Sequence, residues 1–460
     1  GHDGNGGEWS KDRMPMAHLM VLDRAGGDLL WHRKAAWGWL NRGMAVGGGA
    51  VFCVDAMAPN TLAKFKEAGR DLPAAPPALY ALDLATGKPR WRFEPDILVT
   101  NVVYTADRDT LVVPCRNLTL WQDGGWAPQG KKVGRNTPGR MLGLRGKDGE
   151  VLWQVDEAPY FEPHMTVGDL LLDRYGHPYD VRTGRPHRRT DRLTGTEQPW
   201  DFRKGGCNFL VGCPTLVTWR TAFYDLAGQT GSMPLDGMNM GCTPTMLPAG
   251  GVLNVPAFGT HHKRSRMTAL ALVHQPENAL WTDYREPAGR DAVALRRAGF
   301  NFGAPGDRAA DDGTLWLAVT PRTRRDMTLE PKDPSWFACT APDAEGWIAS
   351  CGAEGLTHVA IPMVLTSDKR ARRDDKAVRR YDVRLVFAEP GSAGPGERVF
   401  TVTVEGEAVV RDLDIARAAG GAGRPLVREI RDVEVTGALD LAFSASRGRP
   451  VLCGVAVIGR

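Results

Sequence analysis

Ala81 to Trp91 reads Ala-Leu-Asp-Leu-Ala-Thr-Gly-Lys-Pro-Arg-Trp, and two other stretches carry the same phrase in the same register. Val21 to Trp31 is Val-Leu-Asp-Arg-Ala-Gly-Gly-Asp-Leu-Leu-Trp, and Gly143 to Trp153 is Gly-Leu-Arg-Gly-Lys-Asp-Gly-Glu-Val-Leu-Trp. In each, a Gly stands four residues after the Asp or Arg, and a Trp stands eight after it. An alternating strand runs into the Asp, the turn needs Gly for its positive φ, and a second strand ends in Trp. A hairpin that recurs along a chain implies a series of small stacked sheets. Degenerate copies follow at 179–184, 223–228 and 268–281, the last keeping its terminal Trp. Apolar runs before the phrases read as inner strands: 44–54, 102–115 (broken by a turn at Asp107–Asp109), 166–172, 213–219 and 250–255.

The phrase resembles the tryptophan-docking motif of the quinoprotein (PQQ-like) β-propeller repeat, Ala-x-Asp-x-x-Thr-Gly-x-x-x-Trp, and residues 81–91 match every fixed position. The resemblance implies that each Trp packs against a neighbouring blade. It implies a propeller of four-stranded blades over residues 1–287, about six or seven of them, with the first and last segments able to share a blade. It does not imply PQQ. Quinoprotein dehydrogenases of that kind hold the cofactor between a Trp and a vicinal Cys–Cys disulfide, and no Cys-Cys dipeptide exists here. The expectation is therefore no PQQ and no dehydrogenase.

Composition narrows the classes further. The 58 basic residues nearly balance the 54 acidic ones across 460 residues, which speaks against a nucleic-acid partner held by charge. The 54 Gly and 32 Pro stand well above the roughly 12% of average usage and suit many short strands joined by turns. No apolar run approaches the ~20 residues of a membrane span, and no signal peptide is present. The expected location is periplasmic or extracellular, with any export signal lying outside this sequence. Eight Cys are present with no CxxC pair. Cys53, Cys115 and Cys453 sit in apolar strands and read as core residues.

Near Arg290 the phrase stops and a different pattern begins. Strands of clear alternation occupy 381–389, 398–404, 408–415 and 439–444, which suits a β-sandwich over residues 288–460. Asp311-Asp312-Gly313 with Trp316 opens this region. Val383-x-Leu385-x-Phe387-Ala388-Glu389 and Arg398-Val399-Phe400-x-Val402-x-Val404-x-Gly406 follow. Then come Asp412-Leu413-Asp414-Ile415, Gly420-Gly421 and Gly454-x-x-Val457. In this order they resemble the malectin-like carbohydrate-binding domain. That resemblance implies a glycan or polysaccharide partner.

Candidate functional residues fall in two places. Aligning the inner strands by the docking phrase puts Arg42, Asn101, His164, Cys207 and Cys242 at the expected channel mouth. Loop residues at strand starts are commonly polar, which is the plainer explanation. Cys207 and Cys242 hold matching positions in consecutive repeats. They are candidates for a disulfide, for a metal shared with His164, Met238 or Met240, or for unpaired thiols. The run 173–180 adds Tyr175 and His177, residue types that a polysaccharide lyase uses to move protons, although its Gly-His-Pro centre also reads as a turn. In the second region Trp336, Phe337 and Trp347 are the candidate sugar-stacking aromatics, with core packing as the alternative. Cys339 and Cys351 flank Trp347 and are placed to staple that loop.

The function expected is a carbohydrate-associated binding protein, a propeller scaffold carrying a glycan-binding module. The competing expectation is a polysaccharide-degrading enzyme, a lyase or hydrolase with its active site in the propeller channel. A third is a scaffold of the kind that PQQ-like propellers provide in outer-membrane protein assembly, and the malectin-like region speaks against it.

Overall fold

The computed structural model describes residues 16–56, 67–69, 71, 73–94, 102–116, 138–159, 165–173, 176–200, 210–219, 222–235, 247–250, 252–254, 269–271, 281–284, 289–338 and 346–460. The described chain is nearly all β. It divides into two compact units. One comprises Gly1–His187, Arg203–Pro214 and Gly241–Thr245; the other comprises Arg188–Phe202, Thr215–Met240 and Met246–Arg460. The boundary expected at 287/288 falls inside the second.

In the first unit the repeats are antiparallel runs of strands, two of them with four. In one, the end of Leu29–Gly47 pairs with Ala50–Asp55, then Ala78–Asp83, then Pro89–Phe93. In the next, Val103–Thr105 pairs with Thr110–Arg116, then Pro138–Arg145, then Val151–Pro159. A third holds Met165–Val167, Leu170–Leu172 and Pro178–Asp180. The runs 44–54 and 166–172, expected as single strands, are tight hairpins. Gly48 and Gly49 (φ 57° and 68°) turn the first, and Gly168 (φ 55°) turns the second. The break expected at Asp107–Asp109 is present as a single 3₁₀ turn at Ala106–Arg108.

Successive sheets stack face to face because both faces of the inner strands are apolar. Phe52, Leu79 and Ala81 pack against Leu111, Val113, Leu142 and Leu144, while Val112 and Met141 face Leu171, Tyr179 and Val181. Residues 111–113 therefore read as an unbroken apolar run rather than an alternating one. Among the described residues these sheets stand as separate sheets and form no closed barrel.

The docking phrase performs one operation three times. The indole Nε1–H of Trp31 donates to Leu84 O, that of Trp91 to Gly146 O and that of Trp153 to Val181 O, at 2.8, 2.8 and 2.9 Å. Each acceptor follows the turn's Asp or Arg in the next repeat. The N–H of the same residue is fixed by its own sheet's first turn: Leu84 to Gly49 O, Gly146 to Asp109 O, Val181 to Asp169 O. Each ring lies on the turn's Gly. A Cβ on Gly87, Gly149 or Gly184 would come within 2.6, 3.0 or 2.3 Å of the indole, and all three have positive φ. The three Trp are thus equivalent, though half-buried rather than enclosed.

The second unit opens with another such turn, which the sequence reading passed over: Asp191 to Thr196, with Gly195 at φ 68°. Here the turn meets the start of the C-terminal strands. Leu193 O accepts from Arg296 N and Arg297 N, and the Arg296 side chain lies where the indole lies elsewhere. The buried Asp191 carboxylate accepts from the hydroxyl of buried Tyr284. Leu193 and Tyr284 share one core with Leu295, Phe300 and Trp316.

That core fills a β-sandwich. One sheet runs Arg308–Ala309, Leu315–Val319, Arg297–Phe302, Gly454–Gly459, Val378–Phe387, Leu426–Thr436. The other runs Thr328–Glu330, His358–Pro362, Ala438–Arg447, Val399–Val404, Glu407–Leu413. The strands expected here are present within a few residues. Leu426–Thr436 was not expected, because charges at Arg428, Glu429, Arg431, Asp432 and Glu434 obscure its alternation. Several motif residues have structural tasks. Buried Glu389 takes Arg398 Nε at 2.8 Å, Asp414 caps the helix Ile415–Ala419, and Gly420 closes it at φ 74°.

Candidate functional site

The sandwich brings Trp347 into an aromatic and cationic cluster. The short helix Gly346–Ala349 buries Gly346, Ile348 and Ala349 and leaves Trp347 half-exposed. Its ring meets Trp281 edge-on at 5.5 Å and Trp316 at 6.3 Å. Trp316 is fully buried, and Gly299 and Gly454 make its room: a Cβ at either would come within 2.3 or 2.7 Å of the indole. The Arg308 guanidinium lies 4.6 Å from the Trp347 centroid and 5.3 Å from that of Trp281.

Arg308 is positioned by its neighbour. Asp307 is fully buried, accepts from Ala318 N and Tyr284 N, and binds Arg325 Nη2 through both oxygens at 2.7 Å. With Asp307 so anchored, the strand directs Arg308 to the indoles. Burial lowers the Arg308 pKa, yet a guanidinium stays charged. Among the described residues its buried Nε has no hydrogen-bond partner. The same is true of Nδ2 of Asn301, whose Oδ1 accepts the Cys351 thiol at 3.5 Å, and Trp281 packs on Cys351. Buried polar groups are nearly always satisfied, so two orphan donors bordering one aromatic cluster mark it out. Rings for C–H faces, a cation and amide donors together suit a polyhydroxylated or carboxylate-bearing ligand.

Trp336 and Phe337 lie close by in the fold, on Ser335–Ala338, which pairs with Cys351–Glu354. Phe337 covers Gly352, where a Cβ would come within 2.4 Å of its ring, and Trp336 stands opposite Ala353. Both are partly buried against the sandwich core, as Trp347 is. Trp281, expected as a docking Trp, is a member of this cluster. Arg308 and Asn301 were missed. Arg308 follows Gly306-Asp307 and reads as part of a turn, and Asn301 is one polar residue in an apolar strand. A cleft of about 190 Å3 also opens in the sandwich, between an apolar wall of Phe300, Leu317 and Val364 and the polar Thr366 and Arg372.

Of the first unit's candidates, His177 is described. It lies in a tight turn, where its Nδ1 meets Oδ2 of fully buried Asp173 at 2.7 Å and its N–H donates to Oδ1. Asn101, His164, Tyr175, Cys207, Cys242 and Cys339 lie outside the described residues, as does the side chain of Arg42. Cys53 and Cys453 are core residues as expected, and the Cys115 side chain is not described. Among the described residues no group of His, Cys, Asp and Glu is arranged to hold a metal, and no helix is long and apolar enough to cross a membrane.

These features define an all-β protein of docked repeats joined to a sandwich with an aromatic, cationic cluster. Residues 15–173 match the family model described as outer membrane protein assembly factor BamB, and residues 377–449 match that of the malectin domain. The chain thus joins a region similar to the first family to one similar to the second. Two probable LRR receptor-like serine/threonine-protein kinases of Arabidopsis thaliana are 34% identical over 67 residues and 44% over 63, which is 14% and 12% of this chain. The chain spans 6% of the length of each. Among solved structures, a beta-glucuronidase of Bacteroides uniformis is 16% identical over 36% of this chain and 18% of its own, with a TM-score of 0.28. The extracellular domain of Arabidopsis thaliana ANXUR2 is 16% identical over 36% of this chain and 41% of its own, with a TM-score of 0.26.

Proposed function

We propose that this chain is a carbohydrate-associated binding protein. A propeller-type array of PQQ-like repeats serves as scaffold, and the malectin-like sandwich takes a glycan at a periplasmic or extracellular site. The malectin-domain match over residues 377–449 supports the ligand class. The observation that carries the site is the half-exposed Trp347 stacked on Arg308 beside two buried donors that have no partner among the described residues. Trp336 and Phe337, on the neighbouring strand, extend the aromatic surface. Binding energy in such a site comes from a few desolvated rings and well-placed hydrogen bonds.

The test is retention of the full chain on immobilised polysaccharides and a glycan array. Trp347→Ala is expected to weaken the best ligand about ten-fold or more, and Arg308→Gln several-fold, with thermal unfolding showing that each variant folds. Unchanged binding in Trp336→Ala, Phe337→Ala and Trp347→Ala would place the site elsewhere. A second reading, a lyase or hydrolase, draws on the Asp173–His177 pair, the carboxylate–imidazole couple used in general base catalysis. Product release by the parent, abolished in His177→Gln with glycan retention intact, would favour it.

A further inference from the structure

The first docking turn, Asp23 to Asp28, has the form of the others and, among the described residues, none of their contacts to a neighbouring repeat. Asp23 N donates to Asp28 O and Gly27 N to Asp23 O, the Asp23 carboxylate accepts from Ala25 N and Gly26 N, and Gly27 sits at φ 78°. In the three later turns an indole lies on the equivalent glycine. On Gly27 an added Cβ would meet nothing within 4 Å. In those turns the residue after the Asp or Arg gives its N–H to a turn of its own sheet and its C=O to a Trp. Arg24 holds that place here, and among the described residues it has neither partner.

The side chains repeat the contrast. Leu22, Leu82 and Leu144 occupy equivalent positions before the turn. Leu82 and Leu144 are wholly buried by the preceding sheet, whereas Leu22 is 55% exposed. Met20 is 62% exposed, against 2% for its equivalent Leu142. Leu29, paired with Leu22, is 54% exposed. The opposite face of this hairpin is covered, since Leu19, Val21 and Trp31 pack on Val51, Cys53 and Leu82. Among the described residues Met16–Leu22 is also the edge strand of its sheet, and one row of its backbone groups has no strand beside it.

We infer that this hairpin is a receptor for a partner polypeptide that presents a β-strand ending in tryptophan, seated as Trp31, Trp91 and Trp153 are seated on the next repeat. The occupant follows from continuity: the vacant face is the next member of an interface already formed three times. A separate chain fits better than a second copy, because the docking Trp at 31, 91 and 153 are engaged and Trp281 is held by Trp347 and Arg308. The partner's indole would donate to Arg24 O and lie on Gly27. Its apolar side chains would cover Met20, Leu22 and Leu29. Strand addition of this kind takes affinity from backbone pairing and specificity from the pocketed side chain.

The probe is a synthetic peptide of residues 78–93, the chain's own docking hairpin with its Trp91, titrated into the full chain by calorimetry. Saturable binding is expected in the micromolar range. It should weaken at least ten-fold when the peptide carries Trp91→Ala, and comparably when the protein carries Gly27→Val. Because Gly27→Val also strains a positive φ, Leu22→Lys at an already exposed position gives an independent reading, with at least a five-fold loss expected. No binding, or equal binding of the two peptides, overturns the inference. Self-association of the full chain that Leu22→Lys abolishes also overturns it, and assigns the face to a second copy. A peptide excluded until the chain is cut within its later repeats would assign the face to ring closure by the chain itself.

Discussion

At the scale of single residues, each docking Trp has two functions that substitution can separate. The ring fills the space over a glycine, and the N–H satisfies a carbonyl already committed through its own amide. Trp91→Phe keeps most of the ring contact and leaves Gly146 O without its donor, which should cost about 1 kcal/mol. Trp91→Ala should cost about 3 kcal/mol, the lower end for a large aromatic because the side chain is only half-buried. Chemical denaturation of the two variants checks the ratio. Equal losses would mean that the hydrogen bond, not the packing, holds the joint. The docking residues were legible because a turn glycine with positive φ, an Asp or Arg four residues before it and a terminal Trp four residues after it recur at fixed spacing. Arg308 and Asn301 were not. Their roles come from strands distant in sequence, and nothing local separates a guanidinium between two indoles from one in a surface turn.

At the scale of the element, the turn is a self-contained unit with its own electrostatics. The Asp83 carboxylate accepts Thr86 N, Thr86 Oγ1 and Ala85 N, and pairs with Arg90. Arg90 and Thr86 hold its pKa down to about 2. A depressed carboxyl contributes stability that is fully present above its unfolded pKa of about 4 and is lost as pH falls through the folded value. The parent should therefore exceed Asp83→Asn in stability at pH 5–7, and the difference should vanish near pH 2. Parallel acid titrations followed by tryptophan fluorescence test this, and a gap that widens toward low pH would contradict it. The same element shows where pattern reading stopped. Run 44–54 is apolar throughout, so its tight glycine turn leaves no polar interval to mark it, and in 166–172 the turn is marked only by Gly168 and Asp169.

At the scale of the molecule, the change of sequence character near Arg290 does not coincide with the edge of the second unit. The Asp191 turn and Thr282–Tyr284 supply partners to the sandwich through Leu193 O, which accepts from Arg296 N and Arg297 N, and through the amides of Thr282 and Tyr284, which donate to Asp307. A fragment beginning at 288 lacks all of these and leaves Asp307 short of one donor. It should melt on the order of 5–10 °C below a fragment beginning at 188, by calorimetry at matched concentration. Equal melting temperatures would show that the sandwich stands alone. The sequence boundary was drawn where the repeated phrase ends. One copy of the turn docks the sandwich, with Arg296 in the position the indole takes elsewhere.

In the first three repeats the tract between the second and third strands is the one that changes most in length: residues 56–77, 117–137 and 173–177. The turn that carries the joint keeps its form each time. The joint and the length of the repeat are thus written in separate parts of it. A lineage can lengthen or shorten that tract without rewriting the positions by which one repeat grips the next, so novelty and foldability need not compete for the same residues.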